Sequence, residues 1–175
     1  DADASEIYII TGYKKEQVEE HVSKTRNNVK FCYQENQLGT GHAVMQAEKY
    51  IEDDDLVVVI NGDQPLISSQ TIKSLVTFCN QGNYGGVVLS GIVDEPGSLG
   101  RVIRDNNGNL SRIVEKKDCD ESEEKVKEVN IGVYCFNGKL LKDSFSKLDD
   151  NNAQVEYYIT DIPAPIKKAG YNFGV

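Results

Sequence analysis

Asp63 sits in Asn61-Gly62-Asp63-Gln64-Pro65, directly behind the apolar run Leu56-Val57-Val58-Val59-Ile60. A carboxylate at the carboxyl edge of a strand suits Mg2+, which takes few protein ligands and shares substrate phosphates. Gly62 before it lets backbone and ligand approach closely. Asp63 also reads as a turn aspartate opening the Pro65 loop, and the residues by themselves leave both readings open. Leu38-Gly39-Thr40-Gly41-His42-Ala43 is a glycine loop that opens a helix, and its backbone N–H groups suit an anion or the polar edge of a base. His42 reads as a packed first-turn residue, because nothing near it in sequence orients it. Glu115 and Asn130 are candidates for hydrogen-bonding a polyhydroxylated ligand, and equally for surface or cap positions. Asp53-Asp54-Asp55 reads as a solvated turn. No Ser/His/Asp or Cys/His arrangement supplies an activated nucleophile, so a covalent mechanism has little support.

The elements that must position these residues alternate between β-rich and helical runs. Residues 6–11, 29–33, 56–60 and 86–93 read as strands, and 14–24 and 42–51 as helices. Val18 and Val22 share one face of the first helix, and Val44, Ala47 and Ile51 one face of the second. The unbroken apolar run 56–60 predicts a strand buried on both faces in the middle of a parallel sheet. Ser68 or Ser69 caps a helix whose Ile72, Leu75, Val76 and Cys79 follow i, i+3, i+4, i+7 spacing. Asp105-Asn106-Asn107-Gly108 between residues 101–104 and 110–115 is a hairpin signal. A strand over 128–136 and a helix over 139–147 follow, and Pro163 and Pro165 are expected to disrupt any helix beyond Asp161. The alternation predicts an α/β fold with a mostly parallel sheet, which binds ligands beyond the carboxyl ends of its strands.

Composition bounds what this fold can serve. The 175 residues suit one domain, or most of one, and carry 28 acidic against 19 basic residues, a net charge of −9. That balance argues against nonspecific nucleic-acid binding, which needs a basic face, but leaves room for a nucleotide with a metal. No apolar run approaches the roughly 20 residues of a membrane span. Cys32, Cys79, Cys119 and Cys135 are widely spaced, three of them inside apolar stretches, and read as inert thiols in a reducing compartment, the cytoplasm. The chain begins without Met and stops without a cap, so it is expected to be a piece of a longer protein.

Taken in order, six blocks resemble the sugar-1-phosphate nucleotidyltransferases, and among them the uridyltransferase domains that act on N-acetylglucosamine-1-phosphate. They are residues 34–43, 62–67, 100–102, 113–118, 128–132 and 151–161, which cover the base loop, Gly62-Asp63-Gln64-Pro65, Gly100-Arg101-Val102, Ile113-Val114-Glu115-Lys116, Asn130-Ile131-Gly132 and Tyr158-Ile159-Thr160-Asp161. The resemblance implies a Rossmann-like nucleotidyltransferase fold, a mostly parallel mixed sheet flanked by helices. Its nucleotide-binding part would cover about residues 1–95 and its sugar-binding part about 96–175. Gln34, Gly39 and Thr40 would hold the uracil of UTP, Asp63 would bind Mg2+ and act in catalysis, and Gly100, Glu115, Asn130, Tyr158 and Thr160 would line the amino-sugar pocket. The reaction would be in-line attack of the sugar phosphate on the α-phosphorus of UTP, which needs alignment and charge neutralisation rather than a protein nucleophile. Nucleic acid and membrane are not expected partners, and a homotrimer is possible in the full-length protein.

The same resemblance places a glycine-rich phosphate loop upstream of residue 1, and a second metal ligand and a β-helix domain downstream. The chain is thus expected to be N-terminally truncated, and inactivity of the isolated piece is one outcome. Leu99 and Asn61 stand where Tyr is common, and Ile131 where Thr is usual. The alternatives are a nucleotidyltransferase for another sugar-1-phosphate, and a noncatalytic binding or regulatory domain of the same fold.

Overall fold

The computed structural model describes residues 2–175. Strand β1 (Ile7–Thr11), helix α1 (Lys15–Ser23) and strand β2 (Val29–Tyr33) form a βαβ unit whose two strands pair in parallel. Helix α2 (Thr40–Met45) leads through a short 3-10 turn to β3 (Leu56–Ile60), and α3 (Ser69–Gln81) to β4 (Gly86–Ile92). The hairpin β5 (Arg101–Arg104) and β6 (Leu110–Val114) precedes the long β7 (Glu128–Asn137), α4 (Gly138–Phe145), α5 (Pro163–Lys168) and β8 (Phe173–Gly174). No helix among the described residues is long and apolar enough to cross a membrane.

The Rossmann-like α/β class holds, with a mixed sheet between helices. The balance of pairings corrects the expectation of a mostly parallel sheet. Among the described residues only β1–β2 and β4–β8 pair in parallel, whereas β3–β7, β4–β7, β5–β6 and β5–β7 are antiparallel. β3 and β4 point the same way, but β7 runs between them in the opposite sense and hydrogen-bonds to both. A strand late in the chain has taken the place that a sequential parallel neighbour would have had.

That insertion also corrects the reading of residues 56–60. β3 is partly exposed along its length, and Leu56 and Ile60 are exposed at its ends. The strand buried on both faces is β7, where Val129, Val133, Tyr134, Cys135 and Phe136 are fully buried. Its alternating side chains build two cores, as the two-residue period of a strand requires. Tyr134 and Phe136 stack with ring centroids 5.5 Å apart and face Leu140, Leu141, Phe145, Ile162 and Ile166. Val133 and Cys135 face Leu75 and Cys79 of α3, with Val87 of β4. The Ser68 Oγ accepts from the Thr71 N–H at 3.1 Å, so the N-cap expected for α3 is made.

Three of the thiols, Cys32, Cys79 and Cys135, are buried and free, as their apolar surroundings predict. Two helical expectations fail. The pattern over 42–51 divides into α2 and the 3-10 turn at Glu48–Tyr50. Pro163 and Pro165 do not break a helix: Pro163 starts α5, where its missing N–H costs nothing and its fixed φ suits the first turn.

Leu141, fully buried in the larger core, and Leu66, 94% exposed, should differ sharply on truncation. Urea unfolding of Leu141→Ala should show a loss of about 2–5 kcal/mol. Leu66→Ala should stay within about 0.5 kcal/mol of the parent.

Candidate functional site

The base loop is built from β2 and the turn behind it. Gln34 directly follows β2, is 8% exposed, and donates its backbone N–H to Thr11 O at 2.8 Å. Its Nε2 donates to Gly39 O at 3.1 Å and lies 3.0 Å from His42 Nδ1. Gly39 has φ +107°, and an added Cβ there would stand 2.6 Å from Tyr157 O, so a side chain is excluded on both counts. The loop is clamped from far along the chain. Gly41 N–H donates to Tyr157 O at 2.7 Å, Tyr157 N–H to Leu38 O at 2.8 Å, and Ile159 N–H to Thr40 Oγ1 at 3.1 Å. The Thr40 hydroxyl is therefore turned into the protein, and the Gly41 N–H, read from sequence as free, is taken.

The sugar candidates converge on Glu115. Thr160 Oγ1 donates to Glu115 Oε1 at 3.1 Å, and a Cβ added to Gly100 would meet Glu115 Oε2 at 3.5 Å and Asn130 Cβ at 3.7 Å. Asn130 N–H donates to Gly100 O at 2.9 Å. The Asn130 side chain is largely committed: Nδ2 donates to Tyr134 Oη at 2.7 Å, and Oδ1 accepts from Gly132 N–H at 2.8 Å. One N–H and one lone pair of that amide remain for a ligand. Tyr158 is buried, and its hydroxyl accepts from Gln154 Nε2 at 2.9 Å. Arg101, 2% exposed, holds the Gly97–Gly100 turn by donating to Gly97 O, Leu99 O and Glu124 O.

Glu115, Tyr158 and Thr160 line a cavity of about 410 Å³ together with Asp118, Asp149 and Asp161. Burial is the main cause that pushes the Glu115 carboxyl up, opposed by the Thr160 hydrogen bond and reinforced by the charges of Asp118 and Glu156. Asp161 is pushed up to about 6, first by burial and then by Asp149, Glu115 and Asp118. Asp161 is a site feature that sequence did not mark, because its acidic neighbours come from two distant segments, 115–118 and Asp149.

Asp63 lies in a second cavity, of about 250 Å³, with Gln64, Pro65, Leu66, Ile67, Leu99 and Ile131. Its carboxylate is exposed, and neither Asp63 nor the loop around it supplies a second carboxylate. Such a lone, open oxygen donor fits a Mg2+ ion that completes its shell with water and phosphate oxygens. Leu99 and Ile131 line this cavity, and a Cβ on Gly100, the chain neighbour of Leu99, would meet both Glu115 and Asn130, the chain neighbour of Ile131. Gln64 was not singled out from sequence. Its Nε2 donates to Ile131 O, and its Oε1 is buried with no hydrogen-bond donor among the described residues.

The family model described as "Nucleotidyl transferase" matches residues 1–174. Bifunctional protein GlmU of Clostridium tetani is 42% identical over 175 residues, 99% of this chain and 38% of that protein. The GlmU of Clostridium novyi is 44% identical over 174 residues, again 99% of this chain and 38% of the relative. The chain thus spans well under half the length of these relatives. Among solved structures, a putative glucose-1-phosphate thymidylyltransferase from Bacillus anthracis superposes with a TM-score of 0.74 at 26% identity, covering 99% of this chain and 68% of that one. A UDP-glucose pyrophosphorylase complexed with UDP-glucose shares the fold, with a TM-score of 0.70 at 18% identity over 95% of this chain and 71% of the other.

The elevated Asp161 carboxyl gives a stability test with a defined sign. Its folded-state value lies above the ordinary 3.8 of an aspartate, so the native state binds the extra proton and loses stability as pH rises from about 4 to about 6. Asp161→Asn should therefore stabilise the protein by roughly 1–3 kcal/mol above pH ~6.5, and the gain should shrink toward zero near pH ~4. Urea unfolding midpoints across that range check it, and a gain independent of pH would show that the carboxylate is not the cause.

Proposed function

The chain belongs to the nucleotidyl transferase family, and from that premise we propose that the full-length protein transfers a uridylyl group from UTP to N-acetylglucosamine-1-phosphate, forming UDP-N-acetylglucosamine and pyrophosphate. The observation that carries the reading is the segment 157–161. Within five residues it holds the base loop through Tyr157 and Ile159 and holds Glu115 through Thr160. A base site and a polyol site thereby share one rigid support, as joining a nucleotide to a sugar phosphate requires. The 42–44% identity to GlmU proteins over nearly the whole chain supports the choice of donor and acceptor.

In this reading Gln34, Gly39 and Thr40 hold the uracil, the backbone of the last two presenting polar groups to its edge. Gly100 leaves room for the sugar ring against Glu115, whose carboxylate accepts from sugar hydroxyls. The free N–H and lone pair of Asn130 complete that wall, with Thr160 fixing the Glu115 rotamer and Tyr158 packing beside it. Asp63 would hold Mg2+, and a bound Mg2+ supplies charge neutralisation for the phosphates during in-line transfer. Leu99 and Ile131 form an apolar floor beside Asp63 that excludes water from the phosphate side of the sugar.

Two measurements on the full-length gene product test these roles. Asp63→Ala should lower Mg2+-dependent pyrophosphate release from UTP and sugar phosphate at least ~100-fold; parental rates would remove the metal role. Glu115→Ala should raise KM for the sugar phosphate roughly 10- to 100-fold while KM for UTP changes less than about threefold. Equal effects on both substrates would argue against the assigned pocket.

A further inference from the structure

His42 and Gln34 form a pair whose chemistry has consequences for which base is accepted. Gly39 O can only accept a hydrogen bond, so the atom of Gln34 facing it is the amide nitrogen, and the second N–H of that nitrogen points at His42 Nδ1, 3.0 Å away. Nδ1 must then carry the lone pair and Nε2 the proton. On its other side the ring meets a second amide nitrogen: Gln46 Nε2 lies 3.2 Å from His42 Nε2 and donates to His42 O at 2.9 Å. A neutral imidazole has one lone pair for two competing N–H groups, and an imidazolium has none.

Gln34 is the side chain placed to win that competition. It is 8% exposed, its backbone N–H is bound to Thr11 O, and its carbonyl accepts from Gln37 Nε2 at 3.0 Å. Gln46 is only partly buried and lies at the end of α2, where its amide can turn. With both N–H groups of Gln34 committed, its Oε1 is left as a fixed acceptor. No described residue donates to that oxygen, and it does not belong to the fully buried, unsatisfied atoms of the protein.

We propose that His42 is a positioning residue for nucleobase selection: its Nδ1 lone pair locks the Gln34 amide so that Oε1 faces the ligand, which selects pyrimidines carrying an imide N–H and rejects cytosine, whose ring nitrogen offers a lone pair. The inference rests on the uridylyl-transfer reading for the identity of the base site. It adds a residue to that site whose contact with the base is indirect. A fixed acceptor discriminates more strongly than a mobile amide, because a freed glutamine can rotate and present its N–H groups instead.

The test is equilibrium binding of UTP and of CTP, each with Mg2+, to the full-length protein by titration calorimetry, with thermal melts to confirm folding. The parent should prefer UTP over CTP by roughly 10- to 100-fold. His42→Leu, which keeps bulk but removes the lone pair, should reduce that preference to within about threefold and leave KM for the sugar phosphate unchanged. His42→Asn, whose Oδ1 can stand near Nδ1, should restore most of the preference. A His42→Leu protein that is folded and keeps the full UTP:CTP ratio overturns the role of His42, as does a His42→Asn protein no more selective than the leucine variant. A parent protein that binds UTP selectively but releases no pyrophosphate overturns the transfer reading while leaving the His42 role standing.

Discussion

Strand β7 changes neighbours partway along its length, and much of the site follows from that change. One edge of β7 is paired with β4 on either side of an irregularity. On the other edge, Val133–Asn137 pairs with β3, whereas Val129 pairs with Arg101 of β5. Between these two partners the backbone at residues 130–132 has no strand on that side. The ladder with β4 is irregular at the same place, where the register steps from Val88↔Tyr134 to Ser90↔Asn130. Gly132 takes φ +79° there, and a Cβ on it would stand 2.6 Å from Asn61 Nδ2 and 2.9 Å from Gln64 Nε2. The loop behind β3 therefore closes over the gap, and the Gln64 amide satisfies the Ile131 carbonyl that the missing strand pairing leaves open. Asp63 shares a cavity with Ile131 because the sheet is interrupted there and the loop behind β3 fills the gap.

The opposite side of the site is held by hydrogen bonds rather than by strands. Residues 38–41 lead from the loop into the first turn of α2, and three bonds with residues 157–159 fix them. The same short segment ends in Thr160 and Asp161, which enter the acidic cavity. A shift of this segment would move the base loop and Glu115 together. Such coupling keeps the two candidate regions in register without a large interface between them.

The cavity around Glu115 is electrostatically uncomfortable. Glu115, Asp118, Asp149 and Asp161 line it together, and Glu115 and Asp161 are raised first by burial and then by neighbouring carboxylates. A fold optimised for stability alone would disperse these carboxylates, whereas a polyol site benefits from closely grouped acceptors. Lys147 and Arg112 line the same cavity, and Arg112 is already paired with Glu123.

From the sequence alone came the order of elements, the buried face and cap of α3, the buried thiols and the six blocks that mark the family. These are local properties: period, propensity and motif spacing are written in neighbouring residues. The candidate residues Gly100, Glu115, Asn130 and Thr160 were legible because each falls in such a block. Tertiary structure alone decided which strand is central. The apolar run of β3 looks the same whether one edge or two are covered, and β7 settles it from more than 70 residues away. It also turned the Thr40 hydroxyl inward, across a separation of 119 residues. His42 gained an amide neighbour, Gln34, that no helical spacing connects to it, and Pro163 became the first residue of a helix instead of its breaker. Hydrogen-bond partners distant in sequence depend on how the layers stack, and that information is absent from any single window of the chain.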